Sequence, residues 1–99
     1  MGLNPKGIRQ IQEQLLRVQD ELANKTVEGT AGGGMVRVVM NGHQELKEIT
    51  IAPEVVDPAD IALLQDMIMA AVNQAVALSH ELADRGMGSL LGGLGIRGF

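Results

Sequence analysis

Residues 32–53 read GGGMVRVVMNGHQELKEITIAP, and the fold turns on how this stretch is read. Met35-Val36-Arg37-Val38-Val39-Met40 is dense in β-branched residues and lies between Gly32-Gly33-Gly34 and Asn41-Gly42. β-Branched side chains pack well on a pleated surface, so this run reads as a strand. Glu45 to Ile51 is the return strand, with Ile49 and Ile51 at period two and Pro53 closing it. Asn-Gly suits the positive φ angles of a type I′ turn, which makes the two strands a hairpin. A bulged, longer turn after Met40 is the alternative.

Upstream, Thr26-Val27-Glu28-Gly29-Thr30 reads as a short first strand. Three strands joined by short turns form an antiparallel meander, one face of which can stay wet while the other packs on helices. The glycine run precedes a strand rather than opening a helix, so it lacks the setting of a phosphate-cradling loop and reads as a sharp entry into the sheet.

Two helices flank the sheet. Asn4-Pro5 is an N-cap followed by proline at the first helical position, and this helix ends near Asn24. Within it Ile8, Ile11, Leu15, Val18 and Leu22 recur at spacings of 3, 4, 3 and 4, a narrow heptad seam that suits a subunit contact or packing on the chain's own sheet, or each along a different part. Glu13 and Arg17 are placed for an i,i+4 ion pair. The second helix is expected to open at Asp57-Pro58, with Asp57 as cap, and to stop at Arg85-Gly86. Ile61, Leu64, Ile68, Ala71, Ala75, Leu78 and Leu82 follow a 3-4 repeat along it, and Leu63, Met67, Met69, Val72 and Val76 widen the apolar surface. A helix this apolar around its circumference is buried on more than one side, the second side most simply by another subunit. The ending MGSLLGGLGIRGF is too rich in Gly for a regular element, so residues 1–86 read as the domain and 87–99 as a flexible tail.

Composition narrows the function. The 99 residues include no Cys, Trp or Tyr and a single Phe, so the core is aliphatic and there is no thiol chemistry. His43 and His80 are the near-neutral acid–base groups, and His80 with Asp84 makes two ligands without a third; neither catalysis nor a metal site is indicated, and no cofactor is expected. A basic n-region with a continuous apolar h-region is missing, and Gln65, Asp66, Asn73 and Gln74 interrupt the apolar stretch from Ile61 to Leu78. The expectation is a soluble cytoplasmic protein with no membrane partner and no small-molecule substrate. The net charge of −4 is unevenly spread: Lys6, Arg9, Arg17 and Lys25 outweigh Glu13, Asp20 and Glu21 in residues 1–25, while six acids outnumber Arg85 and Arg97 after residue 51. A polyanion would therefore meet the first helix. With no aromatic beside the basic residues, contact would be to phosphates rather than by base stacking.

The Gln-rich IRQIQEQLLRVQDELA, the block VEGTAGGGMVRVVMNGHQELKEITIAPEVV, the helix LLQDMIMAAVNQAVALSHEL and the Gly-rich ending together resemble the YbaB/EbfC family of bacterial nucleoid-associated proteins. The resemblance implies an α+β fold of helix, three-stranded antiparallel sheet and long helix, in an intertwined homodimer with paired projecting helices. It also implies binding of double-stranded DNA with limited sequence preference, and a role in nucleoid organisation or transcription. Charge placement assigns the DNA contacts to Lys6, Arg9, Arg17 and Lys25, and the apolar stripes assign dimerisation to Ile11, Leu15, Val18, Leu64, Ile68, Ala71 and Ala75. The competing reading is a homodimeric protein-interaction module that does not touch DNA.

Overall fold

The structure is a computed structural model that describes residues 5–93. Helix α1 spans Pro5–Asn24, strands β1, β2 and β3 span Thr26–Ala31, Val36–Asn41 and Leu46–Ile51, a single 3₁₀ turn spans Pro53–Val55, and helix α2 spans Ile61–Gly93. The strands form an antiparallel sheet in the order β1-β2-β3. The α+β architecture is the expected one, and α1 stops where the sequence placed its end.

Register separates the two faces of the sheet. Val36 lies opposite Ala31 and Ile51, Val38 opposite Gly29 and Ile49, and Met40 opposite Val27 and Leu46. Directly opposed residues share a face, so these nine form the apolar side. The other side carries Glu28, Thr30, Arg37, Glu48 and Thr50, with an Arg37–Glu28 ion pair across β1 and β2. Val36, Val38 and Met40 are buried together with Ala71 and Ala75 of α2, and Leu64, Met67, Ile68, Val72 and Val76 flank this core.

Gly29 sets how closely α2 lies on the sheet. A Cβ at Gly29 would fall 2.0 Å from the Ala71 carbonyl oxygen and 2.7 Å from the Ala75 nitrogen. Helix backbone thus rests directly on strand backbone, which only glycine opposite alanines permits. On the β1 edge the Gln74 side chain accepts a hydrogen bond from the Thr30 amide at 2.6 Å.

The turns depart from the expectations in informative ways. Gly32, Gly33 and Gly34 have φ of 63°, 67° and 92°, so the β1–β2 turn is built on left-handed backbone that only glycine adopts without strain. The β2–β3 turn is not a type I′ Asn-Gly turn. Asn41 and Glu45 close it, with the Asn41 amide donating to the Glu45 carbonyl at 3.0 Å, and Gln44 rather than Gly42 takes positive φ, at 60°. This is the three-residue hairpin with a left-handed third residue. Beyond it Met40 faces Leu46 while Val39 faces Glu48, leaving Lys47 as the extra residue of a bulge.

Both ends of α2 also differ from expectation. Asp57 makes its own turn, accepting from the Ala59 amide at 2.9 Å, and Asp60 is the cap, its carboxylate accepting from the Leu63 amide at 3.2 Å. The helix then passes through Gly86 to Gly93. Glycine costs a helix interior only about 1 kcal/mol relative to alanine, and Gly86 lies beside Val18 and Leu22 of α1 with room for a methyl group at ordinary contact distance. Residues 87–93 of the expected tail are therefore helical, and residues 94–99 lie outside the described residues.

Replacing Gly29 with alanine should lift α2 from the sheet, since the obstructing atoms are backbone and cannot rotate away. The expected loss is about 3 kcal/mol, at the upper end for overpacking, read from the urea midpoint at fixed chain concentration. A midpoint equal to wild type would show that the helix does not rest on β1.

Candidate nucleic-acid interface

Helix α1 carries the basic residues, and its geometry follows from rotation of roughly 100° per residue. Ile8, Ile11, Leu15, Val18 and Leu22 fall on one face; Lys6, Arg9 and Arg17 fall on the opposite one, with Glu13 and Asp20 among them. Those three cations are exposed, and among the described residues none lies within ion-pair distance of an acid. The expected Glu13–Arg17 pair is thus not formed. Lys25 differs: it sits past the helix end, at 4.0 Å from Glu21, with both side chains more than half exposed. Such a pair contributes little to stability and yields readily to a competing anion.

The apolar seam is covered unevenly. Leu22 is buried, Val18 is half-buried, and both lie against Gly86 of α2. Further toward the N-terminus Leu15 is 39% and Ile8 44% exposed, while Ile11 is half-buried. A crevice of about 250 Å³ runs between α1 and α2, lined by Val18, Leu22, Leu82 and Gly86 among others. The molecule is accordingly long, with extents of 67 × 24 × 16 Å.

Of the residues assigned to dimerisation, Ala71 and Ala75 are fully buried against the chain's own sheet and have no surface left for a partner. Leu64 and Ile68 pack on the edge of the same core. Helical periodicity marks an apolar stripe without saying which neighbour covers it. The apolar surface left open lies elsewhere: Leu46 and Ile49 on β3 are 46% and 43% exposed, although they share the face that α2 covers over β1 and β2. Leu63 and Met69 of α2 are exposed as well. Alternation along β3 was the available signal for Ile49, but the sequence did not show that α2 stops short of this strand.

What fixes α1 in place is the β2–β3 turn. A helix end leaves four carbonyls without helical partners. Here the Glu21 carbonyl accepts from the Lys25 amide at 2.8 Å, the Leu22 carbonyl from the Gly42 amide at 2.7 Å, and the Ala23 carbonyl from Asn41 Nδ2 at 3.2 Å. One turn earlier, His43 Nε2 donates to the Gln19 carbonyl at 3.0 Å. Asn41 is fully buried and uses every side-chain site: Oδ1 accepts from the His43 and Glu45 amides, and Nδ2 donates to Glu45 as well as to Ala23. Its carbonyl accepts from the equally buried Ser79 hydroxyl at 2.6 Å, and Ser79 in turn accepts from Gln44 Nε2 at 2.9 Å. One polar cluster therefore joins α1, the hairpin and α2.

The family model described as the YbaB/EbfC DNA-binding family matches residues 2–94. The chain belongs to this family. Similar curated proteins include a nucleoid-associated protein of Roseiflexus castenholzii, 52% identical over 98% of this chain and 100% of its own length. Another, from Syntrophobacter fumaroxidans, is 50% identical over 98% of this chain and 89% of its own. The fold is shared with a crystal structure of an uncharacterized Helicobacter pylori protein, HP0035, at a TM-score of 0.77 over 91% of this chain and 99% of that one. Identity there is 19%, so that likeness speaks for the fold alone. YbaB/EbfC membership places the chain in a non-enzymatic, nucleoid-associated family, in keeping with the absence of a catalytic constellation from its sequence.

In this YbaB/EbfC chain the hydrogen bond from Asn41, followed by the charge of Lys47, holds the Glu45 carboxyl below its ordinary value. A group lowered on folding adds stability above its unfolded value and loses it as pH falls through the folded one. The Glu45 carboxyl resonance should therefore titrate at lower pH than in an unstructured peptide of residues 41–49. The His43 and Glu45 amides should shift together as it does so. A midpoint equal to the peptide's would mean that the Asn41–Glu45 bond is not formed in solution.

Proposed function

We propose that the chain is a homodimeric nucleoid-associated protein that binds double-stranded DNA through phosphate contacts from α1, with limited sequence preference. It organises the nucleoid, modulates transcription and works in the cytoplasm at the nucleoid. The observation that carries this reading is the row of Lys6, Arg9 and Arg17, without ion-pair partners among the described residues, on the outer face of a projecting helix in a chain of the YbaB/EbfC DNA-binding family. An α-helix fits the major groove, and cations along it reach phosphates on either side. Glu13 and Asp20 on the same face keep the attraction modest.

Dimerisation is supported by what one chain leaves bare. The radius of gyration is 18.8 Å, whereas a compact domain of this length has about 13 Å. Leu46 and Ile49 continue the buried face of the sheet into solvent, and Leu63 and Met69 are exposed on opposite flanks of α2. By length and composition alone, Ile61–Ser89 is long and apolar enough to cross a membrane. One side of that helix is the protein's own core, however, with Ala71, Ala75 and Ser79 fully buried. A second subunit covering the remainder accounts for the apolar composition. In that arrangement β3 and the flank of α2 that carries Met69 form the centre of the interface, with the half-covered Leu64 and Ile68 nearby; Ile11, Leu15 and Val18 extend it where the seam of α1 is open.

Sedimentation equilibrium should return twice the chain mass at micromolar concentration. Ile49→Asp should return the single-chain mass or lose the fold. On a monomer the same change would be a surface substitution worth only about 0.5 kcal/mol. A wild-type monomer, or a variant that dimerises normally, would overturn the interface.

Gel-shift titration across salt tests the DNA reading. Each phosphate contact contributes about 0.9 to the log–log salt slope, so Arg9→Glu with Arg17→Glu on both arms should flatten it by at most about 3.6. Affinity should drop for every duplex sequence while the dimer mass is unchanged. If wild-type protein shows no salt-sensitive binding at low ionic strength, the protein-interaction reading replaces this one.

A further inference from the structure

The β2–β3 turn does more than close a hairpin. Gly42 and His43 hold α1 at two levels, the Leu22 carbonyl at 2.7 Å and the Gln19 carbonyl at 3.0 Å, almost one helical turn apart. Two fixing points spaced along a rod constrain its direction, whereas one point would leave a hinge. Gly42 supplies the lower point by close approach. Its φ is not positive, yet a Cβ there would fall 2.7 Å from Leu22 Cδ2 and 3.0 Å from the Leu22 carbonyl oxygen. The upper point is the half-buried His43 ring, whose Nε2 carries the hydrogen, because a carbonyl can only accept. The turn itself is held rigidly, since Asn41 accepts from the His43 amide at 2.9 Å and Gln44 is tied to Ser79. Within one chain, Leu15 and Ile8 on the outer half of α1 are exposed, so the chain's own packing does little to set the helix direction there.

We propose that His43 is a positioning residue for α1: by pinning the Gln19 carbonyl it fixes the angle at which the basic face of the helix is presented. The inference rests on α1 being the DNA-contacting arm for its functional meaning, but the angle itself can be measured without DNA. His43 touches no phosphate and acts only through the helix it holds.

The chain has no cysteine, so spin labels can be placed on Gln12→Cys in α1 and Thr50→Cys on the polar face of the sheet, both exposed positions. Labelled chains are diluted into unlabelled ones so that only the distance within one chain is read. The parent should give one narrow distance distribution. His43→Ala should broaden it, and His43→Gln, which keeps a side-chain N–H, should restore it. Should the alanine variant fail to fold, His43→Ser takes its place, its hydroxyl being too short to reach Gln19. In gel shifts without labels, His43→Ala should bind duplex DNA roughly 2- to 12-fold more weakly, the range for losing one neutral hydrogen bond, and His43→Gln should bind as wild type. A distribution as narrow as the parent's, at the same mean, in the Ala or Ser variant would overturn the proposal. If wild type does not bind DNA, the functional reading fails, while a broadened distribution still shows His43 setting the helix angle.

Discussion

The contact on which the rest of this molecule depends is backbone against backbone, where α2 lies on β1 at Gly29. With Ala71 and Ala75 fully buried opposite a glycine, helix and strand approach more closely than any larger pair would allow. That closeness suits a core of Val36, Val38 and Met40, which has no aromatic side chain to span a wider gap. It also places α2 over β1 and β2 rather than centrally, so Leu46 and Ile49 on β3 remain uncovered. The close approach within one chain and the open apolar surface beside it thus have a common origin.

A second, polar constraint acts beside the first. Asn41 and Ser79 are fully buried, and the hydrogen bonds they share with Ala23, His43, Gln44 and Glu45 bring three elements to one point. Buried polar groups cost stability unless every site is satisfied, and among the described residues no buried side-chain nitrogen or oxygen lacks a partner. Apolar packing determines how far apart the layers lie; this cluster determines where the first helix begins its departure from them. A chain with a small core can hold a projecting helix because the helix is fastened through its terminal carbonyls as well as by the burial of Leu22 near its end.

Much of this was legible in sequence because local signals agreed with tertiary needs. The end of α1 near Asn24, the three strands and the glycine turn all follow from propensity and punctuation. What escaped did so for identifiable reasons. Asn41-Gly42 has the composition of a two-residue turn, but here Asn41 serves a buried cluster and Gly42 makes room for Leu22, so the left-handed residue moves to Gln44. Gly86 looks like a helix terminator when only the chain is read, and becomes a packing position once α1 is beside it. Ala71 and Ala75 lie on an apolar stripe that suits a subunit contact or a sheet equally, and Gly29, which decides between them, sits more than forty residues away. The cations of α1 could be named from charge alone. That Lys6, Arg9 and Arg17 share a face and find no acid among the described residues, while Lys25 lies near Glu21, required the helix.

The sheet has two open edges, and each is blunted. On β1 the Gln74 side chain occupies the Thr30 amide, and on β3 the Lys47 bulge breaks the regular spacing of backbone donors and acceptors. Another strand arriving from outside would meet a plugged donor on one side and a kinked ladder, with a charge at the kink, on the other. Edge-to-edge stacking into open-ended fibres is thereby discouraged even when the protein is crowded at high local concentration. The apolar face that carries Leu46 and Ile49 has no such obstruction, so the two kinds of surface on this sheet differ in what they admit.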